Sequence, residues 1–131
     1  MYLVSPKRVI KGNKAWEKAL PEISKLTKSP LIVGRSSSTY SLRQKIIQDL
    51  NLYKINTINE TLHFDCCEED LNRLYKISSS NHCDAIIAAG GGKVLDAGKI
   101  LAHQLSIPCI TIPLSASTCA GWTALGNIYS K

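Results

Sequence analysis

The sequence lacks the features that would direct a chain into or across a membrane. No apolar run approaches the roughly 20 residues that a membrane-spanning helix needs. Residues 1–8 also lack the apolar segment of a signal peptide. We therefore predict a soluble protein of the cytoplasm with no membrane partner.

Spacings typical of metal sites are also missing. The five cysteines form no Cys-x-x-Cys pair, and the three histidines lie far apart, with no His-x-His spacing. Because no secretory signal precedes them, we interpret the cysteines as reduced thiols that mostly fill apolar space. We predict no metal ligand in this chain.

Aromatic residues are scarce, at 6% of the sequence, although the net charge is +6. Basic residues crowd the N-terminal end, at positions 7, 8, 11, 14 and 18, but no run of aromatic residues alternates with them. A surface that stacks nucleic-acid bases needs such aromatic side chains. A solvated basic face explains the charge better, and we predict no nucleic-acid partner.

The composition is otherwise that of a globular protein. Hydrophobic residues make up 44% and charged residues 20% of the 131 residues, which is unlike a disordered chain. The length predicts one domain that is large enough for its own core.

Short apolar runs alternate with amphipathic segments along the whole chain. The apolar runs predict strands at 8–11, 30–34, 53–58, 84–89, 108–113 and 124–129. Helices are predicted after a capping Asn13, over 40–50, from the acids at 68–70 onward, and after Lys93. Pro21 lies inside the first helical pattern and should kink or restart it. This alternation predicts an α/β fold with a mostly parallel sheet flanked by helices.

Three glycines, Gly90 to Gly92, join a strand of buried type directly to a helical pattern. Glycine lets backbone N–H groups approach a ligand closely, and a helix N-terminus favours an anion. The turn therefore suggests a phosphate or pyrophosphate site, although a tight strand-to-helix connection is an alternative. It matches neither the G-x-G-x-x-G fingerprint nor a Walker loop, because Gly92-Lys93 continues into Val94.

Three loops should meet at one edge of the predicted sheet. In parallel sheets, ligands bind beyond the carboxyl ends of the strands. The loops at 34–36, 90–93 and 114–118 follow three such ends. Together they have the chemistry to hold an adenosine ribose and a pyrophosphate.

Three segments carry a family resemblance. Residues 90–99 (GGGKVLDAGK) are similar to the GGGKxxDxAK segment of glycerol dehydrogenases, in the iron-containing alcohol dehydrogenase superfamily. Residues 112–118 (IPLSAST) resemble the VPTxAST loop of these enzymes, and residues 124–129 (ALGNIY) resemble their ALSVIY strand. The resemblance implies that residues 1–131 form the Rossmann-like, NAD(P)-binding N-terminal domain, without the helical metal-binding C-terminal domain of the family.

The resemblance also implies a set of cofactor-binding residues. Gly91, Gly92 and Lys93 would hold the pyrophosphate of NAD or NADP, and Asp96 with Lys99 would fix the loop or the ribose on the nicotinamide side. The other implied contacts are Leu114, Ser117 and Thr118 on the adenine and phosphate side, and Thr123, Leu125 and Tyr129 near the nicotinamide. Core packing explains Leu125 and Tyr129 equally well.

Three positions depart from the family pattern. Arg35 follows the second strand, where NAD-preferring members carry an acid. Arginine can pair with a 2′-phosphate, so we predict that NADP is tolerated or preferred, with a solvent-facing Arg35 as the alternative. Cys119 replaces an aspartate near the substrate hydroxyls, which argues against glycerol as the substrate, and Leu114 replaces a threonine.

The resemblance implies an enzyme that transfers hydride between an alcohol or polyol and NAD(P), with Zn²⁺ or Fe²⁺ bound by its C-terminal domain. This chain holds none of those ligands, so we expect it to be inactive alone, with no catalytic residue of its own. Two alternatives stay open: a non-catalytic nucleotide-binding remnant, and a fragment similar to dehydroquinate synthase or glycerol-1-phosphate dehydrogenase. Apolar surface that would face a second domain predicts self-association.

Overall fold

The structure is a computed structural model that describes residues 8–10, 14–35, 39–63, 68–114 and 126–129. These residues form six strands and four helices. In chain order they are β1 (Arg8–Ile10), α1 (Ala15–Leu26), β2 (Pro30–Gly34), α2 (Tyr40–Leu52), β3 (Ile58–Thr61), α3 (Glu68–Ser80), β4 (Ala85–Gly90), α4 (Gly92–Leu105), β5 (Cys109–Pro113) and β6 (Gly126–Tyr129).

The six strands form one sheet in the order β1-β6-β5-β4-β2-β3. The four strands β3, β2, β4 and β5 run parallel, whereas β6 pairs antiparallel with both β5 and β1. Every residue of β2 and β4 is buried, as is typical of parallel strands covered on both faces. The prediction of a mostly parallel α/β sheet is confirmed.

The apolar side chains of the central strands alternate between two core clusters. Ile32 and Ile87 belong to the cluster that contains residues of α1 and α2. Leu31 and Ile86 belong to the cluster that contains residues of α3 and α4. This period of two places helices on both faces of the sheet and leaves the carboxyl ends of the strands at one edge.

The third strand lies further along the chain than its alternating pattern predicts. It occupies Ile58–Thr61 rather than 53–58. Residues 53–55 instead close the end of α2, because the N–H groups of Tyr53 and Ile55 both donate to the carbonyl of Leu50, at 3.0 and 3.1 Å. Lys54 has a φ of 61°. Local hydrogen bonds of the turn therefore replace the strand pairing that the sequence pattern suggests.

Helix α1 runs through Pro21 without a break, so of the kink or restart that the sequence predicts, the restart does not occur. Proline removes the hydrogen bond to the carbonyl of Glu17, four residues earlier. Both residues are exposed, so water can satisfy that carbonyl. Lys14 is at the N-cap position of this helix, and the predicted cap Asn13 lies outside the described residues.

The acids that begin α3 also differ from one another. Asp70 is 1% exposed rather than a solvated partner of the helix dipole. Its carboxylate accepts hydrogen bonds from the backbone N–H of His63 at 3.0 Å and from Arg73 at 3.1 Å. Arg73 also donates to Glu60 at 2.9 Å and to the carbonyl of Thr61 at 2.6 Å. This cluster fastens α3 to the carboxyl end of β3.

Further along α3, Tyr75 is 41% exposed, although its spacing predicts that it faces inward.

Candidate functional site

The turn from β4 to α4 presents an open helix N-terminus. Gly90 ends β4, Gly91 is the N-cap residue, and α4 begins at Gly92, two residues before the start predicted after Lys93. The N-cap residue makes no side-chain cap hydrogen bond, and the first turn of α4 contains no acid. The first N–H groups of an α-helix have no partner within the helix and carry its positive dipole end. This end of α4 can therefore bind an anion through its backbone.

Two of the three glycines are explained neither by packing nor by backbone conformation. Within the part of the chain that the structure describes, a Cβ added at Gly91 or Gly92 would meet no neighbouring atom within 4 Å. Gly91 has φ −83° and ψ −176°, which any residue can adopt. A Cβ at Gly90, in contrast, would lie 3.2 Å from Cβ of Val94. A tight connection thus accounts for Gly90, whereas Gly91 and Gly92 leave free space at the mouth of the helix.

Side chains of the first turns of α4 border this free space. Lys93 and Asp96 are exposed, and Lys99 is half-buried. Lys93 and Asp96 are three residues apart, so they share one side of the helix. A cation and an acid therefore lie beside the open N–H groups, and both can reach a ligand from solution.

The end of β5 is fastened to the glycine turn. The N–H of Leu114 donates to the carbonyl of Gly90 at 2.9 Å. Gly90 and Pro113, the last residues of their strands, are also register partners. The Leu114 side chain is 6% exposed and belongs to the core cluster beside α1 and α2. A ligand at this edge can therefore meet Leu114 through its backbone.

The end of β2 lies beside the end of β4. Val33 is the register partner of Ala88, so Gly34 ends β2 close to the end of β4. Arg35 follows it and is exposed. The ends of three parallel strands thus lie at one edge, as the sequence predicts.

Arg43, on α2, is a residue of this edge that the sequence analysis missed. It is 2% exposed, and burial lowers its pKa from the usual value, an effect that the charge of Tyr40 opposes. Nη1 of Arg43 donates to Oγ1 of Thr39 at 2.7 Å. One signal was available: Arg43 is three residues before Ile46 and seven before Leu50, so it lies on the inward stripe of the helix.

A model of the iron-containing alcohol dehydrogenase family matches residues 6–131. The chain belongs to this family.

Relatives support the membership. The chain is 39% identical over 129 residues to the uncharacterized oxidoreductase slr1167 of Synechocystis sp., a match that covers 98% of this chain and 33% of that protein. It is 32% identical over 88 residues to a glycerol dehydrogenase of Citrobacter freundii, covering 67% of this chain and 24% of that protein. The family resemblance of the glycine and Ser-Thr motifs is thereby confirmed. The chain spans a quarter to a third of the length of these relatives.

Solved structures of the family share the fold. The crystal structure of glycerol dehydrogenase from Schizosaccharomyces pombe superposes with a TM-score of 0.73 at 22% identity, over 86% of this chain and 29% of that chain. At this identity the likeness supports the fold alone.

The structure places Tyr129 away from the glycine turn of this iron-containing alcohol dehydrogenase domain. Tyr129 is the register partner of Cys109, at the start of β5, whereas Gly90 pairs with Pro113 at its end. Four residues of strand separate the two ends of β5, which is about 13 Å. The other predicted contacts of the later segment, Ser117, Thr118, Thr123 and Leu125, lie outside the described residues, as does Cys119.

The described cysteines are unreactive by environment. Burial raises the pKa of the Cys109 thiol to about 12, although nearby Lys99 opposes the shift. Burial and the charge of Asp84 also raise the pKa of Cys83. A thiol with a raised pKa is a poor nucleophile and a poor metal ligand near neutral pH. Both residues therefore act as small apolar fillers.

Two further findings concern the described part of the domain. No group of three or more His, Cys, Asp or Glu side chains there could hold a metal ion. None of its helices combines the length and the apolar character needed to cross a membrane.

Proposed function

We propose that this chain binds NAD or NADP at the carboxyl edge of its sheet, as the N-terminal cofactor-binding domain of a glycerol dehydrogenase-like enzyme. One observation carries the proposal: Gly91 and Gly92 leave free space in front of an uncapped helix N-terminus, where neither packing nor conformation requires glycine. Family membership supports the same conclusion.

In this proposal, different residues at the carboxyl edge of the sheet bind different parts of the dinucleotide. The N–H groups at the start of α4 bind the pyrophosphate, because the first N–H groups of a helix have no partner within the helix and lie at the positive end of its dipole. Lys93 adds a positive charge, and Asp96 accepts hydrogen bonds from ribose hydroxyls. Arg35 lies at the end of β2 and pairs with a 2′-phosphate, which favours NADP. Ser117, Thr118, Thr123, Leu125 and Tyr129 remain predicted contacts.

The bound dinucleotide supplies the hydride-transfer chemistry, and the domain supplies binding and orientation. We propose that the reaction served by this domain is the oxidation of an alcohol or polyol. We further propose that residues 1–131 alone bind the cofactor without turnover and act in the cytoplasm. Binding without turnover is tested by adding NAD⁺ or NADP⁺ with each of a set of alcohols and polyols to the chain and following the absorbance of NADH or NADPH; formation of either product would contradict it.

Alanine substitution of the open glycines tests the cofactor site. Among the described residues, an added Cβ at Gly91 or Gly92 meets no atom within 4 Å. The melting temperature of Gly92→Ala should therefore stay the same or rise slightly, whereas that of Gly91→Ala should fall slightly because alanine is less favourable than glycine at an N-cap position. The same methyl group would occupy the space proposed for the pyrophosphate. We therefore expect the Kd for NAD⁺ and for ADP-ribose to rise about tenfold or more, since one lost backbone contact to an anion suffices for that change.

Isothermal titration calorimetry measures these constants, and differential scanning calorimetry measures the melting temperatures. Gln104→Ala, at an exposed position near the other end of the same helix, is the matched control and should change neither quantity. Unchanged Kd values in both glycine variants would contradict the proposed site. A chain that binds neither NAD⁺ nor NADP⁺ would refute the proposed function altogether.

A further inference from the structure

Arg43 makes a polar link across the start of α2. Thr39 is the N-cap residue of α2, a position at which threonine commonly caps the helix with its own side chain. Here Thr39 makes no side-chain cap hydrogen bond, and its hydroxyl accepts from Nη1 of Arg43 at 2.7 Å. Cζ of Arg43 also lies 5.8 Å from the centroid of the Tyr40 ring. The first turn of α2 is thus arranged around this guanidinium group.

The same side chain lies against the end of β2. A Cβ added at Gly34 would be 2.6 Å from Cζ of Arg43 and closer still to its Nε and Cδ. Only glycine at this position leaves room for the guanidinium. The carbonyl of Gly34 accepts from the N–H of Leu62 at 2.8 Å, which ties the same point to the segment after β3. Arg43 therefore packs against the last residue of β2 and donates a hydrogen bond to the N-cap residue of α2.

Burial of an arginine is costly unless the charge has a specific task. Removing a guanidinium from water carries a desolvation cost of several kcal/mol, and an apolar side chain could fill the same space without it. Arg43 is only 2% exposed, and Thr39 is 3% exposed. Arg43 packs against Gly34, and Arg35 is the next residue of the chain. The buried guanidinium group therefore contacts both the residue before Arg35 and the N-cap residue of α2.

We propose that Arg43 is a positioning residue for the adenosine half of the dinucleotide. It holds Gly34 and Thr39 in a fixed relation, and it thereby sets the position of the carboxyl end of β2, whose backbone at Gly34 and Arg35 meets the adenosine ribose. Arg43 itself does not touch the cofactor. The inference rests on the proposed function and goes beyond it. It gives a role in cofactor affinity to a buried residue of α2, which packs on the face of the sheet opposite to α4.

Titration with ADP-ribose tests the proposal, because this probe carries the adenosine half without the nicotinamide. In Arg43→Met the link between β2 and α2 is lost, and we expect the Kd for ADP-ribose to rise about tenfold, the change that follows from one lost hydrogen bond to a charged group. Arg43→Lys keeps the charge and one donor for Thr39, so its Kd should lie between those of the unchanged chain and Arg43→Met. All titrations are made well below the melting temperature of each variant.

Asp84→Asn is the matched control for a purely structural effect. Asp84 lies at the opposite end of β4, where its carboxylate accepts from the hydroxyl of Thr27 and from the backbone N–H groups of Lys28 and Ser29, at 2.9 and 3.2 Å for the latter two. This substitution should lower the melting temperature as Arg43→Met does, yet leave the Kd for ADP-ribose unchanged. A purely structural role for Arg43 predicts no difference in Kd between these two variants.

The outcomes separate the two proposals. If the unchanged chain binds no ADP-ribose, the proposed function fails, and this inference fails with it. If the unchanged chain binds and Arg43→Met binds equally well, the positioning role alone is overturned. Should Arg43→Met not fold, Thr39→Val removes the acceptor at nearly constant shape without removing a helix cap. A rise of the Kd in Thr39→Val supports the proposal, and an unchanged Kd overturns it.

Discussion

The glycines at the carboxyl edge of the sheet differ in whether packing requires them. Gly34 is glycine because the Arg43 side chain occupies the space of its missing Cβ, and Gly90 is close to Val94. Gly91 and Gly92 have no such neighbour among the described residues. The space beside these two glycines is therefore available to a ligand.

Arg35 carries the prediction about cofactor choice. If it pairs with a 2′-phosphate, Arg35→Gln should raise the Kd for NADP⁺ about tenfold, because an ion-paired hydrogen bond is replaced by a neutral one. The Kd for NAD⁺, which lacks this phosphate, should stay within about twofold. Calorimetric titration of both cofactors measures the ratio. An equal change for both cofactors, or tighter binding of NAD⁺ by the unchanged chain, would contradict the role proposed for Arg35.

At the scale of elements, the approach of α4 to β4 positions the glycine turn. A Cβ added at Gly98 would lie 2.5 Å from Cβ of Ala88, so helix and strand pack at a distance that only glycine permits. The hydrogen bond from Leu114 to Gly90 then joins β5 to the same point. These contacts hold the N-terminal end of α4 from the side of the sheet. Among the described residues, they leave space beside Gly91 and Gly92.

Gly98→Ala tests this packing. The added methyl must push α4 from the sheet, so we expect the free energy of unfolding to fall by about 1–3 kcal/mol, although alanine favours a helix by up to about 1 kcal/mol. Urea denaturation measures the loss. Gly92→Ala adds the same methyl to the same helix in open space and should show no loss. Equal stabilities of the two variants would contradict the close approach.

At the scale of the whole molecule, described apolar side chains remain exposed at the end of α2. Leu52 is 80% exposed and Tyr53 is 41% exposed. The family relatives are about three to four times as long as the match, with 33% and 24% of their length covered. We propose that this apolar surface makes the isolated chain self-associate, since exposed apolar patches favour contacts between proteins.

Sedimentation velocity over a range of concentrations tests self-association. The unchanged chain should sediment faster as the concentration rises, and Leu52→Lys should weaken this dependence because it places a charge in the contact. Asn51→Lys adds the same charge at the neighbouring exposed position and serves as the control. A monomer at every concentration would refute self-association, and equal effects of both variants would show that net charge rather than Leu52 is responsible.

The sequence by itself determined the fold class, the family and the edge at which the loops meet. These depend on strong local signals: apolar runs of strand length, helical periodicity, and glycines placed between them. The sequence pattern was wrong for the third strand, because the hydrogen bonds of Tyr53 and Ile55 to Leu50 close a helix where alternation suggests a strand. The predicted restart at Pro21 was also wrong, since exposure of Glu17 lets water replace the missing hydrogen bond.

Only the tertiary structure decided which polar residues are buried and which glycines face open space. Arg43 and Asp70 are hydrophilic by type, and their burial depends on neighbouring elements: Arg43 packs against Gly34 at the end of β2, and Asp70 accepts from the N–H of His63, which follows β3. Likewise, the glycines at 90–92 look alike in the sequence, and their surroundings come from elements that fold against them. Local sequence sets the preference of a segment for helix or strand, whereas contacts between distant segments set what each side chain can do there.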